Sequence, residues 1–255
     1  MSASPQETST RIDLAAAFRW AARLGMHESI ANHFSAVLPG EPHRFLLNPV
    51  GAHFSRIRAR DLLLLDTSSV DAAHGDHEST ARAVQAPDPT AWYLHAELHQ
   101  RLPQAGCILH THMPHATALC CLADFEFLML DQNACRFHGR IAYDRNYSGM
   151  ALQASEGARV AGLLDGNKSV LFMGNHGVIV IAPTVAQAFD ELYYLEKAAQ
   201  LQVLALSTGR PLALVPEPVA ALAGRQWNNY PTRFSELHFQ ALKDILDKDE
   251  PDYAR

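Results

Sequence analysis

Short β-rich runs alternate along this chain with segments of helical apolar spacing, and that order constrains the fold more than any other feature. ANHFSAVLPG and HRFLLNPVG read as two short strands joined by a Pro/Gly turn, a hairpin signal. ARDLLLLDTSS is a turn followed by another strand, GCILHTH is a buried strand, and SVLFM and GVIVIA are two β-rich runs separated by GNHG. Helical spacing begins at Asp13, with Asp13 or Thr10 as cap. It recurs in AWYLHAELHQRL, capped by Thr90 and ended by Pro103, in HATALCCL after Pro114, and near residues 154–164. The longest helix, VAQAFDELYYLEKAAQLQVLAL, closes at Gly209, and FSELHFQALKDIL is a final helix. Strands and helices interleave, yet several strands are hairpin-linked. The order therefore predicts an α/β layered domain with a mixed or antiparallel sheet, not a doubly wound parallel one. No G-x-G-x-x-G or Walker pattern follows any strand.

The 255 residues suffice for one large domain, and no internal repeat argues for two. Residues 1–10 are polar and are expected to form a disordered tail, leaving residues 11–255 as the domain. The polar stretch DAAHGDHESTARAVQAPDP is expected to be a surface excursion. A formal net charge of −6 with no basic stripe disfavours nucleic acid or an anionic membrane as partner. The N-terminus lacks the apolar core of a signal peptide, and no apolar run approaches the roughly 20 residues of a membrane span. A cytoplasmic protein is the expectation. Cys107, Cys120, Cys121 and Cys135 fit neither a C-x-x-C nor a zinc-finger spacing and are read as reduced core thiols.

His110 and His112 end an apolar strand, where alternation points both side chains the same way. Two imidazoles about 7 Å apart along the backbone can chelate one ion at about 2.1 Å. His176 is the best third ligand, because the glycines of GNHG let the backbone approach closely. By spacing alone, an ordinary histidine pair stays open, as does His115 in place of His176. HAELH has the i, i+4 histidines of a zincin helix, but Ala96 stands where the glutamate belongs. At most one of His95 and His99 is expected to face a pocket.

LHAELHQRLPQAGCILHTHMPHATAL resembles the metal-site segment of class II aldolases, and MGNHGVIVIAPTVAQAFDELYYLEKAAQLQ is similar to the segment carrying their third histidine. ANHFSAVLPGEPHRFLLNPVG and the C-terminal tail resemble the adducin-like bacterial branch of that superfamily, so the likeness covers roughly residues 11–255. The resemblance implies a three-layer α/β/α sandwich with a mixed, largely antiparallel central sheet. It also implies a homo-oligomer, commonly a tetramer, and one divalent ion on His110, His112 and His176, zinc foremost with manganese or iron as alternatives.

One position departs from the family pattern. Ala91 stands where the aldolases carry the glutamate that serves as general acid/base. Of the family's phosphate pocket, Asn32, Asn48, Gly51 and Thr90 remain as candidate substrate-binding residues. His95, one helical turn after Ala91, is the candidate for proton transfer, with a satisfied core histidine as the alternative. Arg136, His138, Tyr143 and Arg145 surround a turn-rich segment that either recognises a carboxylate or is simply solvated. The resulting expectation is a metal-dependent carbon–carbon lyase, aldolase or decarboxylase, acting on a small hydroxy- or oxo-acid. A non-catalytic adducin-like scaffold and an iron site for oxygen chemistry are the alternatives.

Overall fold

The computed structural model of the protein describes residues 3–67, 86–230 and 233–255. The segment read as a surface excursion falls almost entirely outside them. Helix α1 spans Pro5–Arg23, followed by strands β1 (His33–Leu38), β2 (Glu41–Leu47) and β3 (Leu63–Asp66). Helix α2 (Pro89–Arg101), strand β4 (Cys107–Thr111) and helix α3 (Pro114–Cys120) come next, then β5 (Ile141–Asp144), α4 (Ala154–Leu163), β6 (Val170–Met173) and β7 (Gly177–Ala182). Three helices close the chain: α5 (Val185–Ser207), α6 (Glu217–Asn228) and α7 (Arg233–Asp249). The sheet has seven strands in the order β3-β2-β1-β4-β7-β6-β5, all antiparallel except the β5–β6 pair. This is the mixed, largely antiparallel sheet of the sequence reading.

Alternation along the strands divides the core into two layers. On one face Cys107, Leu109, Val178, Val180 and Phe172 pack with residues of α1, α3, α5 and α7. On the other, Ile108, Ile179, Ile181, Leu171 and Met173 pack with Leu94, Leu98 and Val160 of α2 and α4. An aromatic group of Phe18, Phe34 and Phe54, with ring centroids 4.6–5.0 Å apart, fixes α1 against β1. Among the described residues no helix is long and apolar enough to cross a membrane.

Four local expectations are corrected. The supposed disordered tail is helical from Pro5, because Ser4 caps α1: its Oγ accepts from Glu7 N–H at 3.1 Å, and proline suits the first helical turn. Neither Thr10 nor Asp13 is the cap. Asp88, not Thr90, caps α2, its carboxylate accepting from the Thr90 N–H at 2.9 Å. The segment around Tyr143 contains strand β5, and helix α6 was not foreseen; β5 is only four residues long, and α6 follows a proline-rich approach. Among the cysteines, all free, Cys121 is exposed while Cys135 is buried.

Candidate metal centre

Strand β4 carries His110 on the sheet face that packs against α2, and His112 follows just beyond the strand end. The turn between β6 and β7 brings in His176. The three rings form a near-equilateral set, with centroids 5.0, 4.8 and 4.9 Å apart. Their ligand nitrogens all lie within 4.8 Å of one another. Tetrahedral sharing of one ion at about 2.1 Å needs roughly 3.4 Å between nitrogens, so small ring rotations close the set.

The hydrogen bonds decide which atoms face inward. His110 Nδ1 donates to the Val178 carbonyl at 3.0 Å, which leaves its Nε2 bare. His112 Nδ1 pairs with Glu28 Oε2 at 2.6 Å, and its Nε2 is buried without a partner. An orphaned buried acceptor beside two further imidazoles is what a divalent cation satisfies, and a carboxylate behind a ligating histidine is the usual support. Burial and then neighbouring imidazoles push His110 well below its ordinary range, and burial moves His176 down to about 4. Both rings are therefore neutral near pH 7, as ligands need to be. Gly177 makes this approach feasible: a Cβ there would stand 2.6 Å from His112 Cδ2 and 2.7 Å from the Thr111 carbonyl oxygen.

The other anticipated residues are distributed differently. His115 Nδ1 bonds Glu196 at 2.7 Å and takes no part in the set. His95 and His99 are both buried on the sheet side of α2. His95 uses one nitrogen on His33 (2.7 Å) and the other on Ser35 (2.5 Å), so it stands one residue back from the triad. His33, which the sequence did not single out, pairs across the sheet with His110, their ring centroids 4.7 Å apart.

Asn32 accepts from the Glu28 N–H at 2.6 Å and Asn48 accepts from the Phe34 N–H at 3.3 Å, so both amides build the loop that delivers Glu28. Gly51 occupies a turn with φ of +76°, and the Thr90 hydroxyl is given to Asp88. Ala91 is buried in an apolar group with Phe45, Leu47 and Trp92. Arg136, paired with Asp190, is sandwiched between Tyr194 and Trp227; His138 bonds Glu217, Tyr143 accepts from the Phe127 N–H, and Arg145 donates to the Phe125 carbonyl. These four do not converge on the triad. Tyr147 does, its ring centroid 6.1 Å from that of His176.

Residues 12–203 match the family model of the class II aldolase and adducin N-terminal domain. The chain belongs to this family. A Caulobacter vibrioides protein of the class 2 aldolase type is 30% identical over 252 residues, covering 98% of this chain and 94% of that one. Decarboxylase NovR of Streptomyces niveus is 29% identical over 236 residues, 89% of this chain and 82% of its own. A crystal structure of an aldolase II superfamily protein from Pseudomonas syringae superposes with a TM-score of 0.87 at 31% identity, covering 99% and 98% of the two chains. Class II aldolases use a divalent metal, and among the described residues His110, His112 and His176 form the cluster arranged to hold one.

Proposed function

We propose that this protein is a metal-dependent carbon–carbon lyase for a small hydroxy- or oxo-acid, with His110, His112 and His176 as ligands of one divalent ion, zinc foremost. The observation that carries the reading is the orphaned His112 Nε2 facing two more neutral imidazoles. Such an ion supplies Lewis acidity, drawing electron density from a substrate carbonyl as negative charge develops beside it.

Within the lyases, Ala91 favours decarboxylation. Retro-aldol cleavage needs a base for a hydroxyl proton, and the family glutamate that serves there is replaced by a methyl group inside an apolar cluster. Loss of such a group costs about 10² to 10⁴ in rate. When a carboxylate sits one carbon from a carbonyl, decarboxylation needs no such base. The bond to the carboxylate breaks, its electron pair moves toward the carbonyl oxygen, CO₂ leaves, and the carbon takes up one proton. The similarity to Decarboxylase NovR supports this branch. Glu28 orients His112, and Asn32 and Asn48 build the loop that orients Glu28, so these two candidate substrate residues of the sequence reading act here as supports.

Self-association, a tetramer by resemblance, belongs to the same reading. Leu204 on α5, Leu222 on α6 and Leu237 on α7 are each about half exposed, apolar side chains that contact with a second copy would cover. Sedimentation showing only a 28.1 kDa species would contradict it. The activity is tested by loading the protein with zinc, manganese or iron and following CO₂ release from a panel of hydroxy- and oxo-acids. Metal-dependent CO₂ release is expected. Sugar-phosphate cleavage at ordinary aldolase rates, with no CO₂ from any acid, would overturn the choice of branch.

A further inference from the structure

One continuous row of hydrogen bonds runs behind the triad, on the sheet face that carries His110. His33 Nδ1 meets His95 Nε2 at 2.7 Å; His95 Nδ1 meets Ser35 Oγ at 2.5 Å; Ser35 Oγ meets His99 Nε2 at 2.7 Å; His99 Nδ1 meets the Ala105 carbonyl at 2.8 Å. Ser35 and His95 are wholly buried, and His33 and His99 nearly so. None of these four bonds involves a carboxylate, and burial of the His33 ring outweighs the pull of the nearby Asp88 carboxylate toward a second proton.

The end of the row fixes its direction. A carbonyl oxygen only accepts, so His99 Nδ1 carries the hydrogen and His99 Nε2 is bare. Ser35 therefore spends its single hydrogen on His99 and can only accept from His95. His95 then carries its hydrogen on Nδ1, leaving Nε2 to accept from His33 Nδ1. Reversing any link requires a carbonyl that donates or a doubly protonated ring in a dry interior. Burial holds His99 down to about 4, consistent with a neutral ring at the start of the sequence.

We propose that the Ala105 carbonyl, His99, Ser35 and His95 form a tautomer lock that presents His33 to the metal centre with Nε2 bare, as a hydrogen-bond acceptor for the hydroxyl of a hydroxy acid. The placement of His33 supports this role. It is the cross-strand partner of His110, its Nδ1 is turned to α2, and its Nε2 has no partner among the described residues. An acceptor at that point selects a ligand that brings a hydrogen, so the lock favours a 2-hydroxy acid over the matching 2-oxo acid. In the decarboxylation above the substrate is then a 2-hydroxy-3-oxo acid, whose hydroxyl His33 orients without removing its proton. His99, Ser35 and His95 are positioning residues; only His33 would touch the ligand. The ligand class rests on the lyase reading above, whereas the row itself does not.

Neutron diffraction from deuterium-exchanged crystals of the zinc-loaded protein tests the lock directly. Deuterons are expected on Nδ1 of His33, His95 and His99 and on Ser35 Oγ directed at His99, with His33 Nε2 bare. A deuteron on His33 Nε2 overturns the proposal. A protein that takes up no zinc defeats the metal reading while its neutron map still decides the row, so the two failures are distinguishable. Calorimetry with lactate and pyruvate on the zinc protein reads the consequence. One neutral hydrogen bond predicts about fivefold tighter binding of lactate. Ser35→Ala should erase the preference without lowering zinc content, and Ser35→Thr, which keeps the hydroxyl, should retain it. Equal binding of the two acids by the unaltered protein overturns the acceptor role.

Discussion

Replacing Glu28 by glutamine tests how the centre is supported. In the structure Glu28 Oε2 stands 2.6 Å from His112 Nδ1, while Asn32 holds the Glu28 backbone N–H. Glutamine keeps the shape and an acceptor oxygen but removes the charge. A hydrogen bond to a charged group contributes about 1.5–3 kcal/mol, against about 0.5–1.5 kcal/mol for a neutral one, so the change removes roughly 1 kcal/mol. The Glu28 side chain is 59% exposed, so water screens the charge and holds the loss near that low figure. Zinc affinity should fall about five- to tenfold, at the lower edge of what substitutions behind a ligand usually cost. Competition against a chromophoric zinc chelator near neutral pH measures this. An unchanged affinity would show that the pair is an idle surface contact. A loss beyond about a thousandfold would make Glu28 a ligand itself, and either result refutes the reasoning.

Three further outcomes are expected. Gly177→Ala places a Cβ within 2.7 Å of both His112 and the Thr111 carbonyl; it should cost about 1–3 kcal/mol in urea unfolding and displace His112 enough to lower zinc affinity. Ala91→Glu puts a carboxylate among Phe45, Leu47 and Trp92, so thermal melting should show destabilisation rather than a clean gain of sugar-phosphate cleavage. Burial depresses His99 to about 4, so the unfolded chain binds the extra proton between about pH 6.5 and 4. Stability from this group is present above about pH 6.5 and lost as pH falls toward 4, about 3 kcal/mol in all. The pH dependence of urea midpoints in metal-free protein should therefore become shallower over that range in His99→Asn without vanishing, because burial also depresses His33, His110 and His176.

Strand alternation was enough to place His110 and His112 together, because the period of two is a property of any strand. The glycines of GNHG likewise announced a close approach, which Gly177 makes against His112. His33 was not legible for a different reason. Its neighbourhood depends on the register that pairs it with His110, and register is set by the whole β1–β4 ladder rather than by any local run. Glu28 sits in a turn where an acidic residue is unremarkable until the fold brings His112 to it. His95 was the candidate for proton transfer, but the His33 ring that occupies its Nε2 was invisible without that register. At the N-terminus the polar residues suggested disorder, and the Ser4–Pro5–Glu7 capping pattern was the overlooked signal.

The account depends most on the metal, and metal content measures it. Purified protein, stripped and reconstituted separately with zinc, manganese and iron, is analysed for elements after exhaustive removal of free ion. The account predicts close to one equivalent per chain for at least one of these metals, and loss of most of it in His112→Ala. Protein that stays metal-free after all three reconstitutions would contradict the account at its centre.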